Sequence, residues 1–383
     1  MKSKRIKRMI TAAVLAAAFC ITLSGCGNGS KEAAQADASG KTETGEGVSE
    51  EAASQETGVE MPEHYDKGAV NVSFKTEVIV SDEVRESGLQ KLSASVQKPD
   101  PEKVLECLMG DTEIKAKNEE ENEEENNYWY EGANHEILTV NDTSIGFSTQ
   151  FSVYVSNAFR LQQGYSDYNA DKYRLDKDLE FASRQEAFEN IRQVLEIMGI
   201  RIGDDYQCYV LEHAVMQSEE AVMDINGNLD QANYKGSWTQ DDDSYYFVIN
   251  QSYGNTPAYH VFYDNFPLAA DENAPVQVLY NQDGIQFLQL EKVFTFTEQE
   301  GSYDLKPFEE IAEVIEMKYG MLLDGSTYSV NQAVLYYMEN KAGGGQYEVL
   351  PVWIFNTTDN GTGKKLQDIV DAQTGEEILW EER

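Results

Sequence analysis

The chain has 383 residues, 68 of them acidic and 30 basic, for a formal net charge of −38 with the four histidines neutral. A field of that sign repels nucleic-acid phosphates and anionic lipid headgroups and gathers cations, which excludes DNA or RNA as a partner. The length suffices for about two or three modules, so the first question is how they are delimited.

The first eight residues, MKSKRIKR, carry five cations, and the run from Met9 to Leu23 carries no charge. That run is shorter than the ~20 residues a spanning helix needs, and its flanks match a cleaved export signal. Leu23, Ser24, Gly25 and Cys26 resemble the lipobox of bacterial lipoproteins, in which the thiol is diacylglycerated before cleavage. The resemblance implies that residues 1–25 are a signal peptide and that Cys26 is the lipidated first residue of the mature chain. It also implies attachment to the outer face of the cytoplasmic membrane through the lipid alone. Two acyl chains, each buried methylene contributing about 0.8 kcal/mol, hold a protein on a membrane. Loss of residues 1–25 leaves 25 basic and 68 acidic residues, a net charge of −43. Residues 26–60 are small, polar and acidic and cannot bury a core, so they are expected to form a disordered tether reaching roughly 30–35 Å.

Beyond the tether, VNVSFKTEVIV (70–80) alternates as a strand, and DPEKVLECLMG (100–110) has helical spacing with Asp100 as N-cap, Pro101 at the first position and Gly110 closing it. The acidic run NEEENEEEN (118–126) is expected to be a solvated loop. ILTVNDTSIGF (137–147) reads as two short strands around a turn. The segment LQQGYSDYNADKYRLDKD (161–178) has no counterpart later in the chain. FENIRQVLEIMGI (188–200) is an amphipathic helix opened by a Ser183/Glu186 capping box and closed near Gly199. YQCYVLEHAVM (206–216) and YYFVINQSY (245–253) follow as strands.

Much of this pattern returns. VQVLYNQDGIQF (276–287) resembles the 137–147 hairpin, and FEEIAEVIEMKYGM (308–321) repeats the helix, with Phe188, Ile191, Val194 and Glu196 matched by Phe308, Ile311, Val314 and Glu316. YSVNQAVLYYM (328–338) and YEVLPVWIF (347–355) follow as strands, and Gly320 is expected to turn the second helix end as Gly199 turns the first. The predicted fold is therefore α+β, made of tandem modules in which one helix packs on a twisted antiparallel sheet. The modules are expected at 61–135, 136–270 and 271–383, the first a fainter copy.

The ending LPVWIFNTTDNGTGKKLQDIVDAQTGEEIL (350–379) resembles the terminal hairpin of YycI/YycH-type, PepSY-like extracytoplasmic domains, and SYYFVINQSYGNTPAYHVFYD (244–264) resembles a divergent version of it. The layout is also similar to that of uncharacterised lipoproteins of gut clostridia. The resemblance implies helix-on-sheet domains in tandem and a regulatory or binding role without catalysis. It departs from the YycI/YycH regulators in having a lipobox and tether in place of an uncleaved membrane helix.

No nucleophile elbow, phosphate loop, zinc pair or Cys/His catalytic arrangement occurs, and His64, His135, His213 and His260 lack metal-ligand spacing. No cofactor is expected. DINGNLDQANYKGSWTQDDDS (224–244) places Asp224, Asn226, Asn228 and Asp230 at alternate positions and adds Asp241, Asp242 and Asp243, which makes a weak calcium candidate. The glycine is one place out and Lys235 stands where a bidentate Glu belongs, so a hairpin turn with a solvated acidic loop is the competing reading. Cys107 and Cys208 read as separate small hydrophobes, and Tyr128–Tyr130 and Trp238 as packing residues or a stacking platform. The candidate partner contact is the unmatched insert, through Tyr165, Tyr168, Tyr173, Arg174 and Lys177. The expected function is binding a protein or envelope polymer from the membrane surface; a solute-binding receptor or an envelope hydrolase are the alternatives.

Overall fold

Local signals build the elements, and distant pairing assembles them. The computed structural model describes residues 61–121, 126–161, 168–221, 230, 233–260, 274–342 and 346–379. In chain order the elements are β1 (His64–Gly68), β2 (Val72–Ile79), α1 (Asp82–Ser87), β3 (Gln90–Val96), α2 (Pro101–Met109), β4 (Ile114–Glu121), β5 (Asn126–Gly132), β6 (Ile137–Asn141), β7 (Ser144–Ser148) and α3 (Gln150–Ser156). There follow α4 (Arg184–Ile197), β8 (Tyr206–Leu211), α5 (His213–Glu219), β9 (Ser244–Ile249), β10 (Gln251–Tyr253), β11 (Thr256–Tyr259), β12 (Val276–Asn281) and β13 (Gly284–Glu291). The chain closes with β14 (Phe294–Ser302), α6 (Phe308–Gly320), β15 (Tyr328–Ala342), β16 (Gln346–Asp359) and β17 (Lys365–Asp371).

The fold is α+β, with two mostly antiparallel sheets. One has the order β1-β2-β15-β16-β3-β14, with β17 on β16 and the β10–β11 hairpin on β15; the other runs β4-β5-β6-β7-β13-β12-β9-β8. Each sheet has its helix. The apolar face of α4 (Phe188, Ile191, Leu195) is buried in the core of the second sheet, and that of α6 (Phe308, Ile311, Ile315) in the core of the first. The expected capping signals form: Ser183 and Glu186 make a reciprocal capping box, and Asp100 caps α2 with Pro101 inside it. Gly199 turns the chain after α4 at φ 92°, where a Cβ would meet the Lys98 carbonyl at 3.4 Å. Gly320 instead stays helical and ends α6 without a left-handed turn.

The expected repeat has a shared strand order over one stretch and none over another. The series α4-β8-β9-β12 and α6-β15-β16-β17 share element order, and in each the second strand lies antiparallel between the first and third. The similar hairpins at 137–147 and 276–287 are neighbours in one sheet, β7 pairing with β13 from Phe287↔Ser148 to Glu291↔Ser144. The boundaries 61–135, 136–270 and 271–383 therefore do not delimit the sheets. Strand β2 runs parallel to β15, Tyr328 opposite Val72, while α2 packs on β6 and α4 of the other sheet, so the supposed first copy is divided between two cores. The segment 245–253 also divides, β9 in one sheet and β10 in the other, and 206–216 is a strand followed by the short helix α5.

Two glutamines hold the crossings between sheets. Gln97 accepts from the Arg201 amide at 2.7 Å and donates to the Arg201 and Phe294 carbonyls at 3.0 and 3.1 Å. Gln251 brackets Phe294, donating to its carbonyl at 2.8 Å and accepting from its amide at 2.9 Å. Each side chain satisfies backbone groups that no strand partner reaches where the chain leaves one sheet for the other.

Candidate functional site

In the described part of the unmatched insert, residues 168–178 are tied into the fold. Tyr173 is buried against Phe159, ring centroids 5.0 Å apart, and donates its hydroxyl to the Ala158 carbonyl at 2.8 Å; burial pushes its phenol well above the usual range. Asn169 is buried too, donating to the Ala158 carbonyl at 2.7 Å and accepting from the Arg160 amide at 2.8 Å. The Arg174 carbonyl accepts from the Val210 amide at 2.8 Å, which covers the otherwise open edge of β8. The Arg174 side chain is exposed and pairs with Asp176 at 3.1 Å, Lys177 pairs with Glu212, and Tyr168 is half-buried against the same cluster. Tyr165 lies outside the described residues. Of the expected contact residues, Tyr173 belongs to the core instead, while Arg174 and Lys177 stay at the surface with intramolecular carboxylates.

The acidic segment is similarly committed. Asp224, Asn226 and Asn228 lie outside the described residues. Asp230 accepts from the Asn233 side-chain amide at 2.8 Å. Asp241 lies in a single 3₁₀ turn, Asp242 caps that turn through the Thr239 amide at 2.8 Å and pairs with Lys235 at 3.0 Å, and Asp243 accepts from the His213 amide at 2.7 Å. Among the described residues of the segment, these bonds tie the acids to neighbouring groups in place of the expected free solvation. Among the described residues no group of three or more His, Cys, Asp or Glu is arranged to hold a metal ion. Trp238 is buried beside Phe151 and donates its indole N–H to Glu220 at 2.9 Å, so it is no platform. The acidic run also departs from expectation: Asn118–Glu121 extend β4 opposite Asn126–Trp129. Cys107 and Cys208 are both free; burial pushes the Cys208 thiol up to about 12, and burial pushes the His260 imidazole down to about 3.

What sequence reasoning missed lies at the end of α6. The buried face of this helix takes Phe308, Ile311, Ala312, Ile315 and Tyr319, so Met317 is out of phase and 59% exposed. The chain continues into Met321 (74% exposed), Leu322 and Leu323 (99% exposed). Asn71, at φ 63° in the β1–β2 turn, donates its side-chain amide to the Tyr319 and Leu322 carbonyls at 3.2 and 2.8 Å. That bond draws the 69% exposed Val70 to the same end of the sheet. The result is an apolar tip preceded on α6 by exposed Glu313, one turn before Met317, and followed by exposed Asp324. The signal was available in the phase of Met317 and in the uncharged triplet Met321–Leu323.

Beside this tip is a buried ionic cluster. Asp368 on β17 is 3% exposed and accepts from Lys318 at 2.6 Å, from Thr357 at 2.9 Å and from the Tyr319 hydroxyl at 2.9 Å; Lys318 also meets Glu377. Burial works to lower Lys318, but Asp368 and Glu377 outweigh it and hold the ammonium above the usual lysine range.

The chain has the fold of an uncharacterised protein from Eubacterium rectale ATCC 33656 known from a crystal structure at 1.45 Å resolution: TM-score 0.56, 17% identity, covering 83% of this chain and 94% of that one. A match to the Bacillus megaterium YpeB C-terminal domain covers 74% and 97% at 12% identity, with a TM-score of 0.26. No protein-family model and no curated protein matches the chain.

Proposed function

We propose that this is a lipid-anchored extracytoplasmic lipoprotein that acts by binding a protein partner, without a catalytic residue, through the apolar tip formed by Val70, Met317, Met321, Leu322 and Leu323. The observation that supports this reading is the grouping of large apolar side chains in water at one end of a sheet whose own core is filled. The occupant is a protein segment that brings apolar side chains flanked by Lys or Arg. Glu313 and Asp324 border the tip, and the chain's net charge of −38 steers cationic partners and disfavours anionic lipid.

Two results test the reading. Cys26→Ser is expected to move the protein from the membrane fraction to the medium or to leave the precursor uncleaved; unchanged retention and processing would remove the anchor. A photoreactive residue at position 321 is expected to crosslink in cells to one partner, through a segment carrying apolar and basic residues. The adduct should be lost in Leu323→Glu, a surface change expected to alter stability by no more than about 0.5 kcal/mol. An adduct that survives in the folded variant, or turnover of an envelope glycan by the purified protein, would overturn the proposal.

A further inference from the structure

We propose that Lys318 and Asp368 condense into an intramolecular amide, an uncatalysed-by-partner cross-link between α6 and β17 in which Glu377 serves as proton carrier. The geometry resembles a reactant complex more than a surface ion pair. The Asp368 carboxylate is withdrawn from solvent, its Oδ1 stands 2.6 Å from Lys318 Nζ, and Oδ2 accepts from both the Tyr319 and Thr357 hydroxyls at 2.9 Å. Glu377 reaches the same Nζ from beyond the hairpin, where Val370 and Glu377 form a bridge.

Each contact has a place in the step. The ammonium of Lys318 passes one proton to Asp368, giving a neutral amine and a neutral acid. Nζ attacks Cγ, forming the C–N bond, while the tetrahedral oxygen is held by the Tyr319 and Thr357 hydroxyls. Glu377 takes a second proton from the nitrogen and returns it to the departing hydroxyl as the C–O bond breaks. One water leaves, Glu377 ends as it began, and no oxidant or reductant is needed. Fixing amine and carboxyl in contact replaces a bimolecular encounter, the main obstacle to amide formation in water. Because the two carboxylates favour the ammonium, the reaction draws on a small neutral fraction and runs slowly in the folded protein.

The test is peptide mapping by mass spectrometry of the full-length protein, freshly purified and after days at pH 8. The expected product is a branched tryptic peptide joining the segments that contain Lys318 and Asp368, lighter than their sum by one water and uncleaved after Lys318. Lys318→Arg keeps the cation and should give no branched peptide, and Glu377→Gln should form it about a hundredfold more slowly. Cleavage after Lys318 with only linear peptides in the aged wild-type protein would overturn the proposal and leave an ion pair. A branched peptide formed equally fast in Glu377→Gln would remove Glu377 from the step.

Discussion

Phe308→Ala is expected to lower the free energy of unfolding by about 3–5 kcal/mol, read as a shift of the urea transition at unchanged slope. The ring is fully enclosed. Tyr65, Trp353 and Phe355 stand around it at centroid distances of 5.4, 4.8 and 5.9 Å, so strands from both ends of the chain meet on this one side chain. Removing it opens a cavity between α6 and the sheet that rigid aromatic neighbours cannot close. Phe188 has the same office on the other sheet, stacked on Tyr206 at 4.2 Å and packed on Phe247 at 6.0 Å. A loss below about 1 kcal/mol for Phe308→Ala would show that α6 is not the keystone of its sheet.

That both phenylalanines could be chosen from sequence shows which physics is legible there. Capping boxes, helix faces and tight turns rest on residues three or four apart, and Ser183/Glu186, Asp100/Pro101 and Gly199 behaved accordingly. Sheet assembly rests on partners that carry no mutual signature. Nothing in VSFKTEVI announces that it lies beside YSVNQAV some 250 residues later, and two hairpins alike enough to suggest a repeat are alike because they share one sheet and one solvent boundary.

The candidate surface was legible only in part, for the same reason. Tyrosines in an unmatched insert look like contact residues, but Tyr173 is buried against Phe159 beside the Arg174 bridge to β8. Met317 sits within the apolar pattern of an amphipathic helix, and only its phase sets it apart. Lys318 and Asp368 are 50 positions apart, and only the return of β17 beneath α6 brings them together.

Relative to Glu339→Gln, the wild-type protein is expected to lose stability as pH rises from about 4.5 to about 8. Glu339 follows Leu335 and Tyr337 at alternate positions of β15, opposite Val349, so its side chain is directed to the apolar face of the sheet. Some of the residue's surface remains accessible, yet burial of the carboxyl pushes it up to about 8. The sign follows from proton counting. Over that interval the unfolded chain has released the proton and the folded chain retains it, so the folded state binds more protons and raising the pH favours unfolding. The residual access to water limits the loss to a few kcal/mol, on the order of 2–4. Gln cannot ionise and occupies nearly the same volume, so the variant should match the wild type near pH 4 and exceed it above pH 8 in urea midpoint. Parallel pH profiles for the two proteins would place the Glu339 carboxylate in water and sever the link between its burial and its charge.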